Sequence, residues 1–172
     1  MNKIILVGYM GSGKSTVGKI LAEKLKLAFF DLDELIENTA GCSIKDLFNT
    51  KGEVYFRKLE HEVFNTFMRN NDSYILSLGG GTPCYANNHL RLQDADVQSV
   101  YLRTSIPEIV RRLIDAKNKR PLIADKSNDE LTEYVAKHLF DRSYFYHFAK
   151  LHYSTDGKNN FMVADELVGL LT

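Results

Sequence analysis

The chain has 172 residues, 44% of them apolar and 26% charged, and Lys plus Arg equal Asp plus Glu at 22 each. That length suits a single domain, residues 1–172, whose core needs no disulfide or metal staple. Zero net charge supplies no global field toward nucleic acid or an anionic membrane, and no stretch nears the roughly 18 apolar residues of a membrane span.

Residues 3–8 (KIILVG) are a short apolar run, the pattern of a strand buried on both faces of a parallel sheet. The run is too short for a signal-peptide core and leads directly into glycines, so a cytoplasmic protein is expected. Val17, Ile20, Leu21 and Leu25 then recur at helical spacing over residues 14–27. Residues 28–30 read as a second strand, and 33–38 and 43–49 as short helices broken at Gly41. Residues 53–69 carry an amphipathic stripe of Phe56, Leu59, Val63, Phe64 and Phe67.

A third strand, 74–78, stops at Gly79, Gly80 and Gly81. Residues 87–92 read as helical and 97–102 as a fourth strand. Ser105 caps a helix that runs to about Asp115, with Pro107 in its first turn and Glu108 three residues on. Residues 116–128 are polar, basic and broken by Pro121, and read as a mobile loop. A helix over 129–148, a strand over 151–154 and a helix over 161–171 complete the chain. The aromatic stretch 140–148 reads as core packing, and the five histidines show no metal spacing. Cys42 and Cys84 form no CxxC pair and read as free thiols in a reducing compartment. Alternating strands and helices imply an α/β fold with a parallel sheet covered on both faces.

Gly8, Gly13, Lys14 and Ser15 satisfy the pattern GxxxxGK[ST] between a strand and a helix. Glycines there let backbone N–H groups turn toward phosphate oxygens, and the helix dipole adds to the attraction. In this pattern Lys14 reaches the β- and γ-phosphates and Ser15 offers its hydroxyl to Mg²⁺. The loop alone fits switch GTPases and motor ATPases as well as kinases. No Asn-Lys-x-Asp guanine signature is present, which favours ATP.

Asp31 and Asp33 share one side of an extended segment at a strand end, where ligands of open α/β sheets bind. One carboxylate can serve Mg²⁺, directly or through water, and the other an acceptor hydroxyl. Asp33 followed by Glu34 also reads simply as a helix N-cap. Glu53, Arg57 and Glu60 share a helical face, and an exposed pair contributing only ~0.3 kcal/mol is the plainer account. Three consecutive glycines after a buried strand suit close approach of a ligand to the backbone. Arg120, within the basic loop, can close over phosphates. Arg142, late in its helix, can complement the dipole or grip a carboxylate with a bidentate fork.

GYMGSGKST, FFDLD, GCSIKDLF, GEVYFRKLE, the glycine run 79–81, KRPLI, and Arg142 with Tyr146 occur in this order over about residues 4–146. In that combination the chain resembles the shikimate kinases. The resemblance implies a P-loop NTPase fold of the nucleoside-monophosphate-kinase type: a three-layer sandwich whose five-stranded parallel sheet has the order 2-3-1-4-5. It implies transfer of the ATP γ-phosphoryl group to the 3-hydroxyl of shikimate with Mg²⁺, a step of chorismate and aromatic amino-acid biosynthesis.

The roles it implies are these. Gly11, Ser12, Gly13, Lys14, Ser15 and Thr16 bind ATP phosphates, and Ser15 and Asp31 serve the metal. Asp33 meets the acceptor hydroxyls. Arg57, Gly79, Gly80, Gly81 and Arg142 bind shikimate, and Arg120 is the arginine of a lid over 116–128, with 33–60 as the acceptor segment. Lys14, Asp33 and Arg120 are then the catalytic set. A gluconate-type kinase of the same fold and a non-catalytic nucleotide-binding module are the rival readings. The expected partners are shikimate and ATP, with neither nucleic acid nor membrane, and the expected state is a monomer.

Overall fold

The computed structural model describes residues 3–116 and 123–172. Strand β1 (Lys3–Val7) is buried at every position, as its unbroken apolar run requires. Ile4 and Leu6 point to one side of the sheet, Ile5 and Val7 to the other. On one edge β1 pairs in parallel with β3 (Tyr74–Ser77), and on the other with β4 (Val97–Arg103). Strands β2 (Ala28–Asp31) and β5 (Leu151–Ser154) complete the sheet. The order is β2-β3-β1-β4-β5 and every pairing is parallel, as the resemblance implied. All carboxyl ends therefore open on one side, beside the reversal of strand order around β1.

Helices α1 (Lys14–Leu25) and α7 (Asn160–Leu171) cover the face of Ile4 and Leu6. Val17, Leu21, Val163 and Leu167 are the residues they bury there. The opposite face carries α2 (Leu32–Ala40), α3 (Ile44–Lys51), α4 (Glu53–Met68), α5 (Ile106–Asp115) and α6 (Asn128–Tyr146). Ile36, Phe56, Phe64, Ile109, Leu131 and Tyr146 close that second core around Ile5 and Val7. Among the described residues, no helix is long and apolar enough to cross a membrane.

Several boundaries differ from expectation for local reasons. Helix α1 ends at Leu25, not 27, because Lys26 turns left-handed at φ 55°. Asp31, not Asp33, caps α2. The helical segment expected over 87–92 is a 3₁₀ helix shifted by one residue, Asn88–Gln93, because Asn87 is left-handed. Helix α6 ends at Tyr146, two residues early. Its aromatic stretch is only partly core: Tyr146 is fully buried, whereas Phe140 and Tyr144 are 85% and 64% exposed.

Within the expected lid, residues 123–127 form turn and coil, and Asn128 is already the first residue of α6. Positions 117–122, with the expected lid arginine Arg120, lie outside the described residues. Ile123 is fully buried, and Ser127 starts α6 with a reciprocal cap. Glu130 N–H donates to Ser127 Oγ at 3.2 Å, and Ser127 N–H donates to Glu130 Oε2 at 2.9 Å. Ser127→Ala should lower stability by ~1 kcal/mol in urea unfolding, with an unchanged denaturant slope.

Candidate active site

The turn from β1 into α1 is shaped from its own backbone. Gly13 adopts φ 90°, and a Cβ there would stand 2.9 Å from Asn160 Oδ1, so the turn demands glycine on two counts. Lys14 is the first residue of α1, and its Nζ donates to the carbonyls of Gly8 at 2.7 Å and Tyr9 at 3.1 Å. The Tyr9 carbonyl also receives Ser12 N–H at 3.1 Å. From outside, Arg112 Nη1 donates to the Gly11 carbonyl at 3.0 Å. Its Nε is held by Glu108 at 2.9 Å, and hydrogen bonds from Arg111 and Arg112 lower that carboxyl to about 2. The loop carbonyls thus have protein partners, which leaves the first amides of α1 as anion donors.

Asp31 has two tasks at the end of β2. Its Oδ1 accepts Asp33 N–H at 2.9 Å, and its Oδ2 accepts the Ser15 hydroxyl at 2.9 Å. Ser15 and Asp31 are adjacent hard oxygen donors on the cleft. That set suits Mg²⁺, which takes one or two protein carboxylates and fills its octahedron with phosphate oxygens and water. Among the described residues, no group of three His, Cys, Asp or Glu forms an all-protein metal cage.

Asp33 is deeper. Burial, followed by the charges of Asp31 and Glu60, raises its pKa to about 6, with Lys14 opposing the shift. A carboxylate held near neutrality beside a lysine can accept a hydroxyl proton at physiological pH.

The three glycines make room for side chains as well as for a ligand. A Cβ on Gly79 would lie 3.1 Å from Asp33 Oδ1, and one on Gly80 3.2 Å from Arg142 Nη1. A Cβ on Gly81 would lie 2.7 Å from Arg57 Nη2. The Gly80 carbonyl accepts the Tyr146 hydroxyl at 2.6 Å. Arg57 is not part of an exposed pair, because its inner partner Glu60 is 1% exposed. Arg57 Nη1 donates to Glu60 Oε1 at 2.9 Å, and Thr82 Oγ1 donates to Glu60 Oε2 at 2.8 Å. The guanidinium stacks on Tyr85 with 4.0 Å from Cζ to the ring centre.

These parts meet in a cleft of about 480 Å³. Gly11, Gly13, Lys14, Ser15, Thr16, Asp31, Asp33, Gly79, Gly80 and Arg142 line it, as expected. Ser12, Gly81 and Arg57 do not line it. Ser12 is 1% exposed inside the turn, and Arg57 stands behind Gly81. Arg142 faces the cleft and is not merely a dipole partner. Sequence reasoning missed Tyr9, Tyr134 and His138, which also line the cleft. The signal was available for two of them: Tyr134, His138, Arg142 and Tyr146 recur every four residues, along one stripe of α6. Cys84 is a free thiol whose pKa burial pushes up to about 11, so it stays protonated beside the arginines.

The shikimate kinase family model matches residues 10–172. A shikimate kinase of Flavobacterium psychrophilum is 51% identical over 171 residues, 99% of each chain, and one of Flavobacterium johnsoniae is 47% identical over the same span. The crystal structure of shikimate kinase from Bacteroides thetaiotaomicron superposes with a TM-score of 0.89 at 33% identity, covering 98% of this chain and 97% of the other. The Acinetobacter baumannii enzyme in complex with shikimate gives 0.85 at 33% identity, covering 98% and 92%.

The buried Asp33 also leaves a thermodynamic mark. Its folded pKa of about 6 exceeds the ordinary 3.8, so ionisation opposes folding. The cost is absent below 3.8, grows as pH rises through 6 and reaches roughly 3 kcal/mol above it. Asp33→Asn should therefore stabilise the ligand-free protein at pH 8, with a gain that shrinks as pH falls below 6, in urea unfolding across that range.

Proposed function

The chain belongs to the shikimate kinase family, and we propose that the loop half of its cleft takes ATP with Mg²⁺ while the glycine-run half takes shikimate. The enzyme transfers the γ-phosphoryl group of ATP to the 3-hydroxyl of shikimate, giving shikimate 3-phosphate and ADP. The observation that carries the assignment of halves is the meeting of Lys14 and Asp33 across one cleft, with Gly79, Gly80 and Arg142 on the Asp33 side.

On the nucleotide side, Lys14 exchanges the Gly8 and Tyr9 carbonyls for β- and γ-phosphate oxygens. Amides over Gly11 to Thr16 hold the phosphates at the positive end of α1. Ser15 and Asp31 would hold Mg²⁺, which would supply charge neutralisation to the phosphates. Arg120, in a lid spanning residues 116–128, closes over the transferring group and excludes water.

On the acceptor side, Arg57 and Arg142 offer planar forks to the shikimate carboxylate, one behind Gly81 and one beside Gly80. That anchorage turns the ring hydroxyls toward Asp33, which lies in the acceptor segment 33–60. Asp33 accepts the hydrogen bond of the 3-hydroxyl and takes its proton as the phosphoryl group arrives. In a loose transition state the proton moves late, so orientation is the larger part of its work. Two free thiols support a reducing cytoplasm, and we read the protein as a monomer of one domain over residues 1–172.

With ATP and Mg²⁺, ADP release in a coupled assay should require shikimate; equal turnover on gluconate, or none on shikimate, would sink the reading. Arg57→Ala should weaken shikimate binding at least about 10-fold while nucleotide affinity stays within about 2-fold, measured by titration calorimetry. The acid limb of kcat/KM for shikimate should bend near pH 6, where Asp33 loses its charge, and Asp33→Asn should abolish turnover.

A further inference from the structure

Tyr9 stands inside the phosphate loop, yet its side chain belongs to the other half of the cleft. The residue is 2% exposed, and its hydroxyl meets His138 Nδ1 at 2.8 Å. His138 lies one helical turn before Arg142 on α6, and its ring meets Tyr134 edge-on at 4.3 Å between centres. The Arg142 guanidinium lies over the Tyr9 ring at 5.9 Å. The same Tyr9 supplies the carbonyl that receives Lys14 Nζ and Ser12 N–H. One residue therefore touches the nucleotide side with its backbone and the acid-binding side with its ring.

The direction of the hydrogen bond follows from chemistry. Burial raises the Tyr9 hydroxyl pKa above the usual phenol range, so it stays protonated and donates. Nδ1 is then the acceptor of a neutral imidazole, and burial also lowers the His138 pKa. A neutral ring spares Arg142 a second positive charge one turn away.

We propose that Tyr9 and His138 are a positioning pair for the shikimate reaction: their hydrogen bond fixes the plane of the Tyr9 ring, and that ring sets where the Arg142 fork stands relative to the phosphate loop. The pair acts through Arg142, and so it rests on the reading that Arg142 receives the substrate carboxylate. Arg142 also hydrogen-bonds Tyr146 one turn on, so the Tyr9 ring face acts as the second of two groups that narrow its rotamers.

The experiment is steady-state kinetics on Tyr9→Phe, His138→Leu, His138→Asn, the Tyr9→Phe/His138→Leu double variant and Arg142→Ala. Tyr9→Phe deletes one oxygen and keeps the core filled, so the folded enzyme is retained. Tyr9→Phe and His138→Leu should each raise KM for shikimate about 3- to 10-fold, with kcat and KM for ATP within about 2-fold. The double variant should be no worse than either single one, since both remove the same bond. His138→Asn, which presents Oδ1 where Nδ1 sits, should recover most of the loss. Unchanged KM for shikimate in Tyr9→Phe, additive losses, or an equal rise in KM for ATP would each overturn the proposal. Arg142→Ala separates the two layers. If it leaves KM for shikimate unchanged, the role of Arg142 falls and the pair's role with it; if it raises KM while Tyr9→Phe does not, the pair alone falls.

Discussion

A side chain at Gly79, Gly80 or Gly81 would crowd the ends of Asp33, Arg142 or Arg57 and push them from their present positions. The separations to a hypothetical Cβ, 3.1, 3.2 and 2.7 Å, are tighter than nearly all real contacts of that kind. Bare backbone after β3 therefore fixes how closely two arginines and a carboxylate can gather around one point. Each of the three comes from a different helix: Asp33 from α2, Arg57 from α4 and Arg142 from α6. The sheet aims β3 at that point because all its strands end on the same side.

Electrostatics follow from that crowding. Asp33 carries the cost of burial next to Asp31 and Glu60, and Lys14 offsets part of it. Glu60 is buried but shared between Arg57 and Thr82, so it reaches the cleft mainly as a field and not as a ligand. Around the ligand-free cleft the carboxylates of Asp31, Asp33 and Glu60 thus stand against the cations of Lys14, Arg57 and Arg142. On the role proposed for Asp33, the stability given up there is the ground-state counterpart of a base poised near neutral pH.

Much of this was legible in the chain. Strand and helix periods exposed the α/β class, and the loop from Gly8 to Ser15 marked what the fold makes one wall of the cleft. Strand order came through the family resemblance, because periodicity carries no information on which strands neighbour one another. The burial of Glu60 was hidden, since i, i+3 charge spacing looks the same on an exposed helix and on one facing a polar pocket. His138 was hidden for a related reason: its partner Tyr9 is 129 residues away, and only the fold brings them together. The early end of α1 depends on a left-handed lysine, a conformation that no side chain there announces.

The pairing of Arg57 with a buried Glu60 also bears on how such an enzyme can change over generations. Losing the arginine alone would strand a carboxylate that is 1% exposed, a defect of about 3–5 kcal/mol. A lineage drifting toward a neutral acceptor could not simply erase this arginine. It would have to discard Glu60 first or both residues together, and Thr82 would then need a new partner. On the role proposed for Arg57, substrate choice is in this way welded to the interior of α4, which makes a preference for a carboxylate slow to erode.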